Sequence, residues 1–271
     1  MVRRKKAVEL FLTVGLVAGI AACGGAPTPE AEVGADVDST EVAEGGEGGE
    51  GGEGGEGGEG GEGGEGGEGG EGGEGGGEYS EGEQANADFE DKLTGDALLT
   101  ALKDGGHVIY FRHAQTERDY ADQADPNMSL DDCETQRKLN DVGIAQSEEI
   151  GAAFTDKEIP VGEVIASEYC RAWQTADLAF GTHEKNAKLN FLPFEDYTDE
   201  QVEEMKANVT PLLTEAPADG TNTVIVGHDD IFESATGIYP DPQGIAYVLT
   251  PDGSGGFTLQ ANLLPDEWAQ L

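Results

Sequence analysis

The 271-residue chain carries 56 acidic against 15 basic side chains, a formal net charge of −41. That balance argues against nucleic acid or an anionic membrane surface as a binding partner, and a phosphorylated ligand would need a local cluster of arginines to overcome the field. The acidity reads as a solubility device, and the part of the chain from Asp88 onward has ordinary mixed composition and enough length for one domain with a real core.

Taken in order, the chain opens with Arg3, Arg4, Lys5 and Lys6, followed by an apolar run from Leu10 to Ile20. The run is shorter than the roughly 20 residues that span a bilayer, so residues 1–22 read as a signal peptide. The segment Ile20-Ala21-Ala22-Cys23-Gly24 resembles the lipobox of bacterial lipoproteins. The resemblance implies cleavage before Cys23, diacylglyceryl attachment to its sulfur, and an exported protein held by lipid in the bacterial cell envelope. Residues 23–87 read as a disordered acidic linker, with a strict Gly-Gly-Glu repeat from Glu44 to Glu74. Glycine at that density has no side chains to bury and a high entropic cost on ordering. No proline accompanies the period of three, which speaks against a collagen triple helix. Regularly spaced like charges extend such a tether, and flexible-chain scaling over roughly 65 residues gives a reach of about 45 Å or more.

The domain, residues 88–271, opens with a short helix over Asp96 to Lys103 that Gly105-Gly106 ends. Val108 to Phe111 has the apolar, partly β-branched and aromatic composition of a buried strand, and it stops at Arg112-His113. Asp119 to Asp132 lacks periodicity and reads as a loop, a candidate lid over a substrate. A helix begins at Asp141, with Val142, Ile144, Ala145, Ile150, Ala153 and Phe154 on its apolar side. Val164 to Ala166 is a second buried-type strand, and Arg171 to Phe180 a helix closed by Gly181. Glu200 to Leu213 reads as a helix broken around Pro211, and Thr223 to Val226 as a third core strand. Ala246 to Thr250 and Phe257 to Ala261 flank Pro251-Asp252-Gly253, the signal of a terminal hairpin. Strands alternating with helices predict a three-layer α/β/α sandwich around a mostly parallel sheet with an antiparallel edge.

Each core strand delivers a cation or an imidazole at or just beyond its C-terminal end, where α/β sheets bind ligands: Arg112 and His113, then Arg171, then His228. Two imidazoles with two guanidiniums suit phosphoryl transfer through a phosphohistidine, one histidine attacking phosphorus while cations balance the equatorial oxygens. Arg112-His113-Ala114-Gln115-Thr116 resembles the Arg-His-Gly-x-Ser/Thr signature of the histidine phosphatase superfamily, the phosphoglycerate-mutase-like proteins. Ser167 through Ala176 is similar to that family's second block, Ser-x-x-x-Arg-Ala-x-x-Thr-Ala, and Gly227-His228 to its third. Ala114 departs from the commoner glycine, a small-for-small change. The resemblance implies His113 as the nucleophile, with Arg112, Arg171 and His228 around the phosphate, His228 cationic or donating a hydrogen bond to the transferring group, and a hydroxyl contact from Thr116. It implies no metal and no cofactor, the guanidiniums taking the role that Mg²⁺ plays elsewhere.

The proton donor to the leaving oxygen stays open between two acids. Glu195 lies about where mutase-like members carry their acidic residue, and Asp229 follows His228 as in the acid phosphatase branch. Arg137 is a candidate substrate contact from the loop before its helix, or else a solvated arginine near a helix start. Outside the cytoplasm, Cys133 and Cys170 suggest a disulfide that fixes the loop over the site. His107 and His183 match no block. The function expected is hydrolysis of a small phosphomonoester; the alternatives are a catalytically idle phosphate-binding module on a stalk, and a phosphomutase.

Overall fold

The computed structural model describes residues 79–118, 122–192 and 196–271. The lipidation candidate Cys23, the signal peptide, the Gly-Gly-Glu tether and the candidate acid Glu195 lie outside the described residues.

Twelve regular elements make up the described domain: α1 (Glu81–Ala87), α2 (Gly95–Asp104), β1 (Val108–Arg112), α3 (Asp141–Asp156), β2 (Val161–Ala166), α4 (Cys170–Phe180), β3 (Glu184–Lys185), α5 (Asp199–Thr214), β4 (Asn222–Gly227), α6 (Asp229–Thr236), β5 (Ala246–Pro251) and β6 (Phe257–Leu263). The strands form one sheet in the order β3-β2-β4-β1-β5-β6. The first four run parallel, and β5 and β6 are antiparallel, β5 pairing directly with β1.

Alternation along β1 divides the core. Ile109 and Phe111 face one layer with Leu98 and Leu102 of α2, Ile150 and Phe154 of α3, Ala172 and Ala176 of α4, and Trp268. Val108 and Tyr110 face the other, with Met205, Val209 and Leu213 of α5 and Ile231 and Phe232 of α6. Every residue of β1 is buried, as expected for a strand covered on both faces. The result is the expected three-layer α/β/α sandwich with a mostly parallel sheet.

Three sequence expectations are corrected. Residues 81–87, assigned to the linker, form α1, capped by a reciprocal Ser80–Glu83 pair. The helix is fastened to the domain: Tyr239 N donates to Gly82 O at 3.1 Å, and Asn86 Nδ2 to Asp241 O at 2.8 Å. Pro211 does not break α5, which runs through it to Thr214. The proline removes one backbone bond on an exposed face, while Val209 and Leu213 on the opposite side stay fully buried. Finally, α6 follows His228 at once, where no helix is expected from the sequence reading.

Candidate active site

The sheet order brings the three sequence blocks side by side. Arg112 is in register with Gly227, and Ala166 with Val226, so β1, β4 and β2 end at one level. The hydrogen-bond ladder continues one step past those ends: His113 N donates to Gly227 O and Ser167 N to Val226 O, both at 3.0 Å. His113 and Ser167 therefore keep backbone positions as fixed as strand residues.

His113 is fully buried. Its Nδ1 lies 2.8 Å from the Ala114 carbonyl, which can only accept, so Nδ1 carries the proton and Nε2 the lone pair. Arg137 donates to that Nε2 from 3.2 Å. Burial first, then the charges of Arg171 and Arg137, hold the imidazole well below the ordinary histidine pKa. His113 is thus neutral, with the lone pair of its Nε2 covered by a guanidinium. The backbone beside it is locked to α4, since Ala114 N donates to Thr175 Oγ1 at 3.0 Å.

His228, also fully buried, meets the His113 ring edge-on with centroids 5.5 Å apart. Its peptide groups are clamped by one hydroxyl: Tyr110 Oη donates to His228 O at 2.8 Å and accepts from His228 N at 2.9 Å. That clamp explains the glycine before the histidine, because a Cβ at Gly227 would stand 2.2 Å from Tyr110 Oη. Phe191 and Tyr169 pack on the ring at 4.2 and 5.1 Å between centroids. Burial and the neighbouring arginines, Arg171 foremost, hold His228 neutral too.

Arg112 and Arg171 are each held by carboxylates. Arg112 NH2 pairs with Asp229 Oδ2 at 2.6 Å, while its NH1 donates to Pro240 O and Asp241 Oδ1, both at 3.0 Å. Arg171 NH1 reaches Asp122 Oδ2 at 2.8 Å and Oδ1 at 3.1 Å, with its guanidinium 4.8 Å above the Tyr169 ring. Burial, with Arg137 nearby, lowers the Arg171 pKa to about 10, which still leaves it charged at neutral pH. Asp122 Oδ2 also accepts from Arg137 N at 2.8 Å, so one buried carboxylate sets both arginines.

Arg137 is buried and on His113, no solvated helix-start residue. Thr116 is near the site, but its hydroxyl is turned away to Arg118 O at 3.0 Å and Gln243 Oε1 at 3.2 Å. Asp229 is a poor proton donor. Burial alone would raise its pKa, yet Arg112, the Tyr239 hydroxyl at 3.0 Å and the Asp230 N–H together hold it below the usual carboxylate range. Its neighbour Asp230 goes the other way, pushed up to about 7 by burial and by Asp229 and Glu233.

The loop read as a lid is a knitted wall over its described part. Short 3-10 turns at Asp122–Ala124 and Cys133–Thr135 carry it, and a disulfide joins Cys133 to Cys170 at the start of α4. Gln136, buried, donates to Ser129 O and accepts from Cys170 N, both at 2.8 Å. A cavity of about 230 Å³ lined by Glu117, Arg118, Glu134, Gln136, Arg137 and Lys138 opens beside this wall. A larger one, about 460 Å³, lies among Cys133, Ile144 and Trp173 and touches none of the four residues expected around the phosphate. Among the described residues no group of three or more histidine, cysteine or acidic side chains is placed to hold a metal ion. Sequence reasoning missed Asp122, Gln136, Tyr110 and Asn190; only Gly227, a glycine directly after the apolar run Val224 to Val226, signalled a close approach.

Comparison with curated proteins finds no match. Among solved structures the chain is similar to the protein histidine phosphatase SixA complexed with tungstate, at 16% identity over 59% of this chain and 98% of that one, with a TM-score of 0.44. It is similar to phosphoserine phosphatase from Entamoeba histolytica in complex with 3-phosphoglyceric acid, at 14% identity over 58% and 95%, TM-score 0.41. A third is YhfR from Bacillus stearothermophilus, at 14% identity over 56% and 94%, TM-score 0.37. Residues 108–206, which contain the first two sequence blocks, match the family model of the histidine phosphatase superfamily, branch 1.

Proposed function

We propose that this chain is an exported, lipid-anchored phosphomonoesterase that works through a phosphohistidine on His113, without a metal. The observation that carries the reading is the His113 Nε2 lone pair, held neutral by burial and faced by Arg137 with Arg112, Arg171 and His228 gathered round it. In this reaction Nε2 attacks phosphorus and the ester P–O bond breaks. The leaving alkoxide takes its proton from Glu195, the acid left once Asp229 is committed to Arg112. A water, giving its proton back to that carboxylate, then attacks phosphorus; the P–N bond breaks and phosphate leaves. The guanidiniums balance the charge on the equatorial oxygens in both steps. The substrate is a small phosphorylated molecule, since the strongly acidic chain disfavours heavily phosphorylated ones. Anchoring rests on Cys23 and its lipobox-like context.

The test is phosphate release by the full chain from a panel of phosphomonoesters, with a chelator present, beside His113→Ala. Release that survives the chelator and vanishes in the variant is expected. No turnover on any ester, or turnover that survives His113→Ala, overturns the proposal. Metabolic lipid labelling tests the anchor: label must be lost in Cys23→Ser.

A further inference from the structure

Behind His228 runs a chain of side-chain hydrogen bonds that the phosphoryl chemistry itself does not require. Asn190, which follows a short turn after β3, faces three groups. Its Oδ1 is 2.9 Å from Glu168 N and 2.9 Å from Ser167 Oγ, and its Nδ2 is 2.7 Å from Glu168 Oε2. A backbone N–H can only donate and an ionised carboxylate can only accept, so the amide has one allowed orientation. Ser167 Oγ–H must then donate to Asn190 Oδ1. That commits the serine oxygen to accepting from its remaining partners, Tyr169 N at 3.3 Å and His228 Nε2 at 2.9 Å. His228 Nε2 therefore carries the ring proton.

The other ring nitrogen completes the argument. His228 Nδ1 is buried and has no hydrogen-bond partner among the described residues, although a buried polar atom left unpaired is costly. Which nitrogen of a histidine is protonated is set by the bond its other nitrogen makes. We infer that Ser167 and Asn190, oriented by Glu168, are positioning residues that lock His228 in the Nε2–H tautomer, so that Nδ1 is the atom it offers to the transferring phosphoryl group. This rests on the phosphatase reading for what Nδ1 meets, but not for which nitrogen is protonated. In the locked tautomer a neutral Nδ1 accepts the proton of a phosphate monoanion's P–OH. If that proton crosses, the phosphate becomes a dianion and His228 an imidazolium that donates the same hydrogen bond. Loss of the lock leaves a population with Nδ1–H and no acceptor.

The experiment is long-range ¹H–¹⁵N correlation on the labelled full chain at pH 8, with the His228 signals identified by subtraction of His228→Asn. The Nε2–H pattern is expected in the parent. Ser167→Ala and Asn190→Ala should each shift it toward a mixture, with kcat lowered on the order of 10-fold and KM little changed. Ser167→Thr, which keeps the hydroxyl, should restore the pattern. Asn190 is half-buried, so its variant keeps the test alive if Ser167→Ala fails to fold. An Nδ1–H parent, or variants whose pattern and kcat are those of the parent, overturns the inference. An Nε2–H parent that the variants shift, in a protein that releases no phosphate, upholds the lock and sinks the phosphatase reading alone.

Discussion

Asp122 presses both carboxylate oxygens on the guanidinium of Arg171 from the far side of a loop, at 2.8 and 3.1 Å, and both residues are 1% exposed. Removing one partner of such a pair strands the other as a buried charge, at a cost of about 3–5 kcal/mol. Asp122→Ala should lose about that much stability in urea unfolding, and Asp122→Asn, which keeps an acceptor, distinctly less. Because the stranded guanidinium gains a vacant anion contact, inorganic phosphate should raise the melting temperature of Asp122→Ala more than that of the parent. Equal shifts would mean that Arg171 does not meet phosphate.

The two fully buried histidines, His113 and His228, contribute most directly to the acid behaviour. Both titrate lower in the folded chain than the ordinary value of about 6.5, so the unfolded chain takes up the extra protons as pH falls below it. Stability is therefore full above pH 6.5 and falls as pH drops toward the folded values, by up to about 1.4 kcal/mol per pH unit for each histidine. The acid limb of kcat/KM, read from the nucleophile, should lie below 6.5 as well. Urea unfolding of the parent and His113→Asn between pH 4 and 8 should show the shallower slope in the variant.

Asp230 works in the opposite sense. A carboxyl raised to about 7 in the folded chain against 3.8 in the unfolded one costs stability wherever the unfolded carboxylate is ionised. Asp230→Asn should be more stable than the parent at pH 8, on the order of 1–3 kcal/mol. The advantage should shrink as pH falls through 7 and be gone below about 3.8.

The Cys133–Cys170 bridge closes a loop of sequence separation 37. Its removal should lower stability by about 2–4 kcal/mol. Since Asp122 and Gln136 hang from the same wall, Cys133→Ala/Cys170→Ala should also raise KM several-fold in steady-state assays. Titration of the parent without reductant should find neither thiol.

What was legible in the sequence is what is written locally. The apolar run Val108 to Phe111 ends in its own functional pair, so strand and site are visible in one stretch. What escaped is set by contacts between distant positions. Tyr110 looks like one more apolar strand residue, and only the register of β1 with β4 puts its hydroxyl on the backbone of His228, 118 positions away. Asp122 is one acid among 56, picked out by a fold that brings it 49 positions forward onto Arg171. The short α6 was missed for another reason. Eight residues give too little periodicity, though the acids Asp229 and Asp230 at its start and Gly237 at its end were punctuation that could have been read.

The sheet order also bears on how the chain is born. Both neighbours of β1, β4 and β5, are encoded more than a hundred positions downstream of it. A ribosome therefore releases this strand, buried along its whole length in the fold, long before any partner exists for its backbone, and β2 cannot substitute because β4 must lie between them. A nascent chain halted between Arg171 and Gly227 carries Arg112, His113, Arg137 and Arg171, yet has no floor on which to set them. Until the last quarter is synthesised the protein is an unpaired strand in need of shelter, and the residues of the candidate site come together all at once.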